Sequence, residues 1–85
     1  MSQNYPNPFN PVTNIRFTLP ESFEGNVSLK VYDVTGKEVS TLLNNFLNEG
    51  SYSVIFDGSK LSSGIYFYSI KAGSYSDIKR MILIK

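Results

Sequence analysis

Hydrophobic and polar residues alternate with a period of two along most of this chain, a pattern typical of strands buried on one side. Six segments show the alternation: 14–19, 26–32, 37–43, 51–56, 65–72 and 76–85. From their inward positions we expect a core that includes Ile15, Phe17, Val27, Leu29, Val31, Val54 and Phe56. No segment has the helical period, so the sequence predicts an all-β domain.

Short segments rich in turn-forming residues separate the predicted strands. The stretch YDVTGKEV predicts a hairpin in which Asp33 accepts hydrogen bonds from the turn and Gly36 adopts a positive φ. The stretch AGSY predicts a second hairpin with Gly73 at its tip. Residues 44–50 are predicted to be a loop, and Gly25 is expected to turn the chain between the first two strands.

These elements favour two packed sheets, because a chain without helices has only another sheet to cover each apolar face. We predict an immunoglobulin-like antiparallel β-sandwich of about seven strands over residues 13–85. Residues 1–12 are expected to be a linker or an N-terminal arm, which would supply the seventh strand if it lies along a sheet edge. A chain of 85 residues can bury one modest core.

Composition excludes several classes of function. The net charge of +1 offers no basic surface for nucleic acid, and no apolar run approaches the ~20 residues of a membrane-spanning helix. Cys and His are both absent, which removes disulfides, thiolate nucleophiles, imidazole bases and ordinary zinc sites. We expect a monomer that binds no nucleic acid, inserts into no membrane and needs no cofactor.

Carboxylates are the remaining candidates for catalysis. The chain has seven: Asp33, Asp57, Asp77, Glu21, Glu24, Glu38 and Glu49. Most of them fall at predicted turns or strand ends, where acidic side chains accept backbone hydrogen bonds. The dipeptide Asp57–Gly58 lacks the regular spacing of oxygen ligands that a calcium loop requires. The sequence therefore predicts neither an enzyme nor a metal site.

The stretch IYFYSI, which begins at Ile65, is apolar on both faces. Tyr66 and Tyr68 share one face, and Ile65 and Phe67 share the other. A strand with two apolar faces is typically central or covered from outside. Two interpretations remain open for the tyrosines: they pack in the core, or they form an exposed aromatic platform that binds a sugar or a partner.

The tail, residues 79–85, has an unusual composition. It consists of Lys79, Arg80, Met81, Ile82, Leu83, Ile84 and Lys85. Residues 71–85 contain four positive side chains and one negative, in a nearly neutral protein. One interpretation is a closing strand whose charges protect against aggregation. The other is a recognition element, whose exposed edge could accept a partner strand.

The opening stretch NYPNPFNP, residues 4–11, must be extended and stiff. Each of Pro6, Pro8 and Pro11 fixes its own φ and biases the residue before it, including Asn7, away from helical geometry. Tyr5 and Phe9 are apolar enough to attach the segment to a folded body.

Six motifs occur in the order found in one known family: YPNPFNP, IRFTLP, VSLKVYDVTGKEV, GSYSVIFDG, LSSGIYFYSIKAG and KRMILIK. From Asn4 to Lys85 the chain resembles the type A carboxy-terminal sorting domain of proteins exported by the type IX secretion system. It departs from the family's pattern in two places. Phe56 stands where the family often has Trp, and the tail begins Lys-Arg-Met, where a basic residue followed by Lys-Met is commoner.

The resemblance implies an immunoglobulin-like sandwich with a sorting function. An upstream passenger on the same chain would cross the periplasm and the outer-membrane translocon to the cell surface or the medium. A sortase-like peptidase at the cell surface would then remove the domain upstream of the fold. In this interpretation Pro6, Asn7, Pro8 and Pro11 belong to an accessible hinge, and the translocon recognises the tail.

Two alternatives have other functions. One is a structural module similar to the immunoglobulin-like domain of the flagellar hook-capping protein, and the other is a carbohydrate-binding module of a secreted enzyme. A sorting domain is expected to end its protein, as the tail ends this sequence, and this favours the sorting function.

Overall fold

The computed structural model describes all 85 residues and contains strands but no helix. Its strands are β1 (Val12–Tyr32), β2 (Glu38–Asp57), β3 (Gly64–Ala72) and β4 (Tyr75–Leu83). All neighbours are antiparallel, in one sheet of order β2-β1-β3-β4. The predicted all-β antiparallel class is confirmed, whereas a sandwich of seven strands is not, because the sheet has four.

Two breaks predicted between strands are absent. The predicted strands 14–19 and 26–32 are parts of the single strand β1, and the predicted loop 44–50 lies inside β2. Gly25, expected to turn the chain, pairs with Leu47 instead. Pairing with a continuous neighbour therefore overrides the local turn signals in both strands.

The long β1–β2 hairpin bends where its register is interrupted. Leu19 pairs with Gly50 and Glu24 with Asn48, so residues 20–23 lie opposite Glu49 alone. Extra residues on one strand bend it and increase its twist. A straight strand of 21 residues would be about 70 Å long, but the longest dimension of the molecule is 40 Å. Both halves of the hairpin consequently contribute to one core.

The core contains fourteen buried apolar residues: Phe9, Ile15, Phe17, Leu19, Val27, Leu29, Val31, Phe56, Tyr66, Tyr68, Ile70, Ala72, Met81 and Leu83. Six of the seven predicted core residues are among them. The seventh, Val54, is half-buried and packs against the cluster. The period-two alternation was sufficient to identify these positions because it fixes which side chains share a face.

Both predicted hairpins are present. Between β1 and β2, an Asp33 carboxylate oxygen accepts hydrogen bonds from the N–H groups of Thr35 at 2.9 Å and Lys37 at 3.1 Å. Gly36 has a φ of 88°, a conformation that favours glycine. Between β3 and β4, Gly73 has a φ of 63° in a two-residue turn.

The N-terminal arm, residues 1–11, packs against the sheet at two places. Tyr5 forms an antiparallel bridge with Asn14 of β1, and Phe9 forms a parallel bridge with Leu83 of β4. The Phe9 side chain is 1% exposed and its ring meets that of Phe56 edge-on at 6.0 Å. The Tyr5 side chain is 78% exposed. Of the two aromatic residues expected to attach the arm, only Phe9 does so with its side chain.

A buried polar network fixes the start of the arm. Asn4 and Thr13 are both buried, and the Asn4 amide donates to the Thr13 hydroxyl at 3.0 Å and to the Pro6 carbonyl at 3.1 Å. The Asn4 backbone N–H donates to the Tyr68 hydroxyl at 2.7 Å. Because buried polar groups are costly when unpaired, this network holds the arm in one position.

Candidate recognition surface

The tail divides its side chains between the core and the surface. Met81 and Leu83 are buried in the core, whereas Arg80, Ile84 and Lys85 are exposed. Within β4 the division follows from the pleat, in which successive side chains point to opposite faces of the sheet, and Ile84 and Lys85 lie beyond the end of the strand. A partner that binds the folded domain can therefore reach only part of the tail.

The N-terminal arm covers the outer backbone edge of the tail. The Phe9 N–H donates to the Ile82 carbonyl at 2.9 Å, and the Ile84 N–H donates to the Phe9 carbonyl at 2.9 Å. The Asn7 side chain accepts from the Ile82 N–H at 3.0 Å, and the Gln3 side chain covers the Arg80 carbonyl. The tail was expected to offer a free edge for a partner strand, but this edge is already occupied.

The possible partner face at Tyr66 and Tyr68 lies in the core. The Tyr66 hydroxyl donates to the Ser62 carbonyl at 2.7 Å, and the Tyr68 hydroxyl donates to the Ser2 carbonyl at 3.0 Å. Both rings are buried and both hydroxyls are paired, so these residues form no exposed platform. The other interpretation, core packing, describes them, and β3 is a central strand as its composition predicted.

Burial of the Tyr68 hydroxyl predicts loss of stability in alkali. Desolvation raises its pKa above the ordinary value of 10.0, while the hydrogen bond from Asn4 opposes the shift. This contribution to stability is present below pH 10.0 and is lost as the pH rises through the higher pKa of the folded state.

We expect the melting temperature to fall from about pH 10 upwards, and Tyr68→Phe to make that fall shallower. Tyr5→Phe, an exposed control, should keep the wild-type slope; equal slopes in all three proteins would contradict the assignment.

A partly apolar accessible surface lies on the opposite side of β3. We call it the outer face, formed by Tyr32, Phe67, Lys71, Ile78 and Arg80. Tyr32 is paired with Phe67 across β1 and β3, and Phe67 with Arg80 across β3 and β4, so three side chains form one row across the sheet. Ile78 is 60% exposed beside this row.

A shallow depression of about 370 Å³ lies at the end of this row. Its lining residues come from the β1–β2 turn and from the outer face: Tyr32, Asp33, Val34, Gly36, Phe67, Ser69, Lys71 and Ile78. The depression is open and half of its lining residues are hydrophobic, and its charged residues are one cation, Lys71, and one carboxylate, Asp33. A molecule bound there would contact apolar side chains with one positive and one negative group beside them.

The cations of the outer face are not neutralised within the protein. Two ion pairs are formed, one between Lys30 and Glu38 at 3.3 Å and one between the N-terminal amino group and Asp77 at 3.6 Å. Lys71 and Arg80 belong to neither. The possible partner face predicted at Tyr66 and Tyr68 lies on the other face of β3, and the apolar character of both faces of this strand was the only sequence signal for the outer face.

Five of the seven carboxylates accept hydrogen bonds from backbone N–H or hydroxyl groups. An Asp57 oxygen accepts from the Ser59 N–H at 2.9 Å, and a Glu49 oxygen accepts from the Ser22 N–H at 3.2 Å. The Thr35 hydroxyl is the main cause of the lowered pKa of Asp33. No group of three or more acidic residues is placed to hold a metal ion.

Comparison with family models identifies the family of this chain. The sequence matches the model of a family described as a secretion system C-terminal sorting domain over residues 3–85. The chain belongs to this family, the C-terminal sorting domains of the type IX secretion system. Comparison with curated proteins and with solved structures finds no match.

Family membership has three consequences. It implies a passenger on the same chain, an export machinery that acts on it, and delivery to the cell surface or the medium. The family is one of sorting signals and not of enzymes. No helix here is both long and apolar enough to cross a membrane.

Proposed function

We propose that the type IX export machinery recognises this domain through the accessible side chains of the tail together with the outer face. The family match over residues 3–85 carries the sorting function. The position of Arg80 supports the surface, because this residue belongs to the tail and also ends the aromatic row of the outer face. Recognition would take place in the periplasm, before the passenger crosses the outer membrane.

Side-chain contacts rather than strand addition would make this recognition. The arm occupies the backbone edge of the tail at Ile82 and Ile84, which removes the simplest way of adding a strand there. Lys71 and Arg80 are exposed and positive on the outer face, and Lys85 is exposed at the end of the tail. Complementary charge on a partner would increase the association rate and select against wrong partners.

We further propose that a sortase-like surface peptidase removes the domain by cutting before the folded arm. Asn4 and Phe9 are buried and hydrogen-bonded at the two ends of the exposed residues 5–8, so this segment is fixed at both ends. A peptidase needs an extended and accessible substrate segment. The accessible segment that the peptidase cuts would therefore lie upstream of Pro6, Asn7, Pro8 and Pro11, where the hinge was predicted.

Removing the three cations of the tail tests the proposal. Lys79→Ser with Arg80→Ser and Lys85→Ser is expected to leave the fold intact, because exposed and half-exposed substitutions usually cost within about 0.5 kcal/mol each. We expect passenger outside the cell to fall about tenfold or more, the effect of losing about 1.4 kcal/mol of binding. The passenger should accumulate in the periplasm.

A matched control removes the same number and type of charges elsewhere. Arg16→Ser with Lys37→Ser and Lys60→Ser also replaces one Arg and two Lys at exposed positions. Passenger in the medium and in the periplasm is measured for all three domains, together with their melting temperatures. Equal export of the two folded variants would contradict recognition by the tail.

A carbohydrate-binding module is the second candidate, and the aromatic pair of the outer face favours it. Tyr32 and Phe67 lie side by side at an open depression, a surface on which a sugar ring can stack. The export experiment separates the two functions. A module that only binds sugars would be exported equally with either set of substitutions.

A further inference from the structure

The two edge strands of the sheet differ in whether another segment of the chain pairs with their outer side. The arm covers the edge of β4, but β2 lies at the opposite edge and has β1 as its only neighbour. An unpaired strand edge is a template for another chain, and proteins usually protect it with Lys, Pro or a bulge. β2 contains neither Lys nor Pro over its 20 residues.

The unprotected part of this edge is residues 43–48, LNNFLN, which we call the open edge. A register shift beside Leu43 ends the regular pairing on one side, and the bend near Gly50 ends it on the other. The open edge contains no charge, proline or glycine. Phe46, near its centre, is 65% exposed. Low charge and the absence of Pro and Gly are features of segments that pair with copies of themselves, in which Asn side chains can also form ladders.

The register determines which backbone groups are free. Successive residues of β1 direct their N–H and C=O groups alternately to its two neighbours. Ala72 and Tyr75 flank a two-residue turn, so the backbone groups of Ala72 bond to β4 and those of Lys71 face β1. Ser28 pairs with Lys71, and its backbone groups therefore face β3. The backbone groups of the preceding residue, Val27, face β2. Asn45, opposite Val27, is therefore bonded to β1, while Asn44 and Phe46 direct their backbone groups away from the sheet.

We propose that the open edge binds the open edge of a second copy of this chain, antiparallel and centred on Phe46. This departs from the monomer expected from the sequence. In that register the two Phe46 rings meet, Asn44 faces Asn48 of the second copy, and Glu49 faces Leu43 rather than another carboxylate. Because the net charge is only +1, the two copies do not repel each other.

The resulting two-fold dimer would have one continuous sheet of eight strands. Isologous pairing uses the same surface on both copies, as a self-complementary uncharged segment requires. The tail and β4 lie at the opposite edge of each sheet, so the dimer leaves the proposed recognition surface uncovered. Dimerisation and export therefore involve separate residues and can fail independently.

Sedimentation velocity of the 85-residue chain over a range of concentrations tests the dimer. The wild type should shift from monomer to dimer as concentration rises. Phe46→Lys places two positive charges opposite each other at the two-fold axis and should weaken dimerisation about tenfold or more. Ile78→Lys is the matched control, because it adds the same charge at an exposed apolar position of β4, and should leave dimerisation unchanged.

Amide hydrogen exchange identifies the surface involved. The N–H groups of Asn44 and Phe46 should exchange slowly only at concentrations where the dimer forms. The N–H of Asn45 is bonded to β1 and should be protected at every concentration. A wild type that stays monomeric up to about 1 mM, where even the weakest specific complexes begin to form, would overturn the proposal. So would a dimer in which Asn44 and Phe46 still exchange rapidly.

Discussion

Replacing Phe9 with alanine should lower the free energy of unfolding by about 3–5 kcal/mol. The side chain is 1% exposed and lies edge-on against Phe56. Gly58 is close beneath it, where an added Cβ would lie 3.3 Å from the Phe9 ring and 3.2 Å from Leu83. Because the surroundings are closely packed, removal of the ring leaves a cavity that cannot easily collapse. The free energy of unfolding of native proteins is about 5–15 kcal/mol, so this loss is a large fraction of the total.

Tyr5→Ala is the control for this prediction. Tyr5 lies in the same Pro-rich segment and loses an aromatic ring in the same way, but its side chain is 78% exposed. We expect a change within about 0.5 kcal/mol. Urea unfolding followed by tyrosine fluorescence measures both variants. Similar stabilities for the two would mean that the arm does not belong to the cooperative fold.

The arm explains why a segment so rich in Pro and Asn can be part of a β domain. Proline has no N–H group, so Pro6 and Pro8 add no donors that the sheet would have to pair. Asn7 between them supplies an amide oxygen to the Ile82 N–H, and both backbone groups of Phe9 bond to the tail, at Ile82 and Ile84. The same segment therefore anchors the chain and covers the outer backbone edge of the tail.

Alternation predicted the core well because the period of two is a local property. It placed Ile15, Phe17 and Val31 in the core from the sequence alone. It could not predict the number of strands. Whether the chain turns or continues at Gly25 depends on the partner strand, and β2 continues past it. The residues that were expected to form a turn lie instead at an irregularity of register within β1.

The accessible face of β3 could not be predicted for a related reason. Tyr66 and Tyr68 alternate with Ile65 and Phe67, and both pairs are apolar. Periodicity shows that the pairs lie on opposite faces but not which face meets the core. The arm packs on the Tyr68 side of the strand, where the Tyr68 hydroxyl bonds to Ser2 and Asn4, more than sixty residues away in sequence. No local pattern contains that contact.

The same alternation in the tail leads to the second large prediction. Met81→Ala and Leu83→Ala should each lower the free energy of unfolding by about 2–5 kcal/mol, because both side chains are fully buried. Ile84→Ala, at a half-exposed position, should cost within about 0.5 kcal/mol. Thermal and urea unfolding of the three variants measure the difference. A truncation of the tail therefore removes part of the core as well as part of the proposed signal.

Temperature separates these two roles of the tail. Met81→Ala should be exported almost normally at low temperature, where it is still folded, and poorly near its lowered melting temperature. Arg80→Ser should remain folded and be exported poorly at every temperature, because its loss affects binding and not stability. Passenger export is measured for both variants across temperatures, beside the folded fraction of each isolated domain. If export followed the folded fraction in both, the machinery would recognise the fold as a whole and not the side chains of the tail.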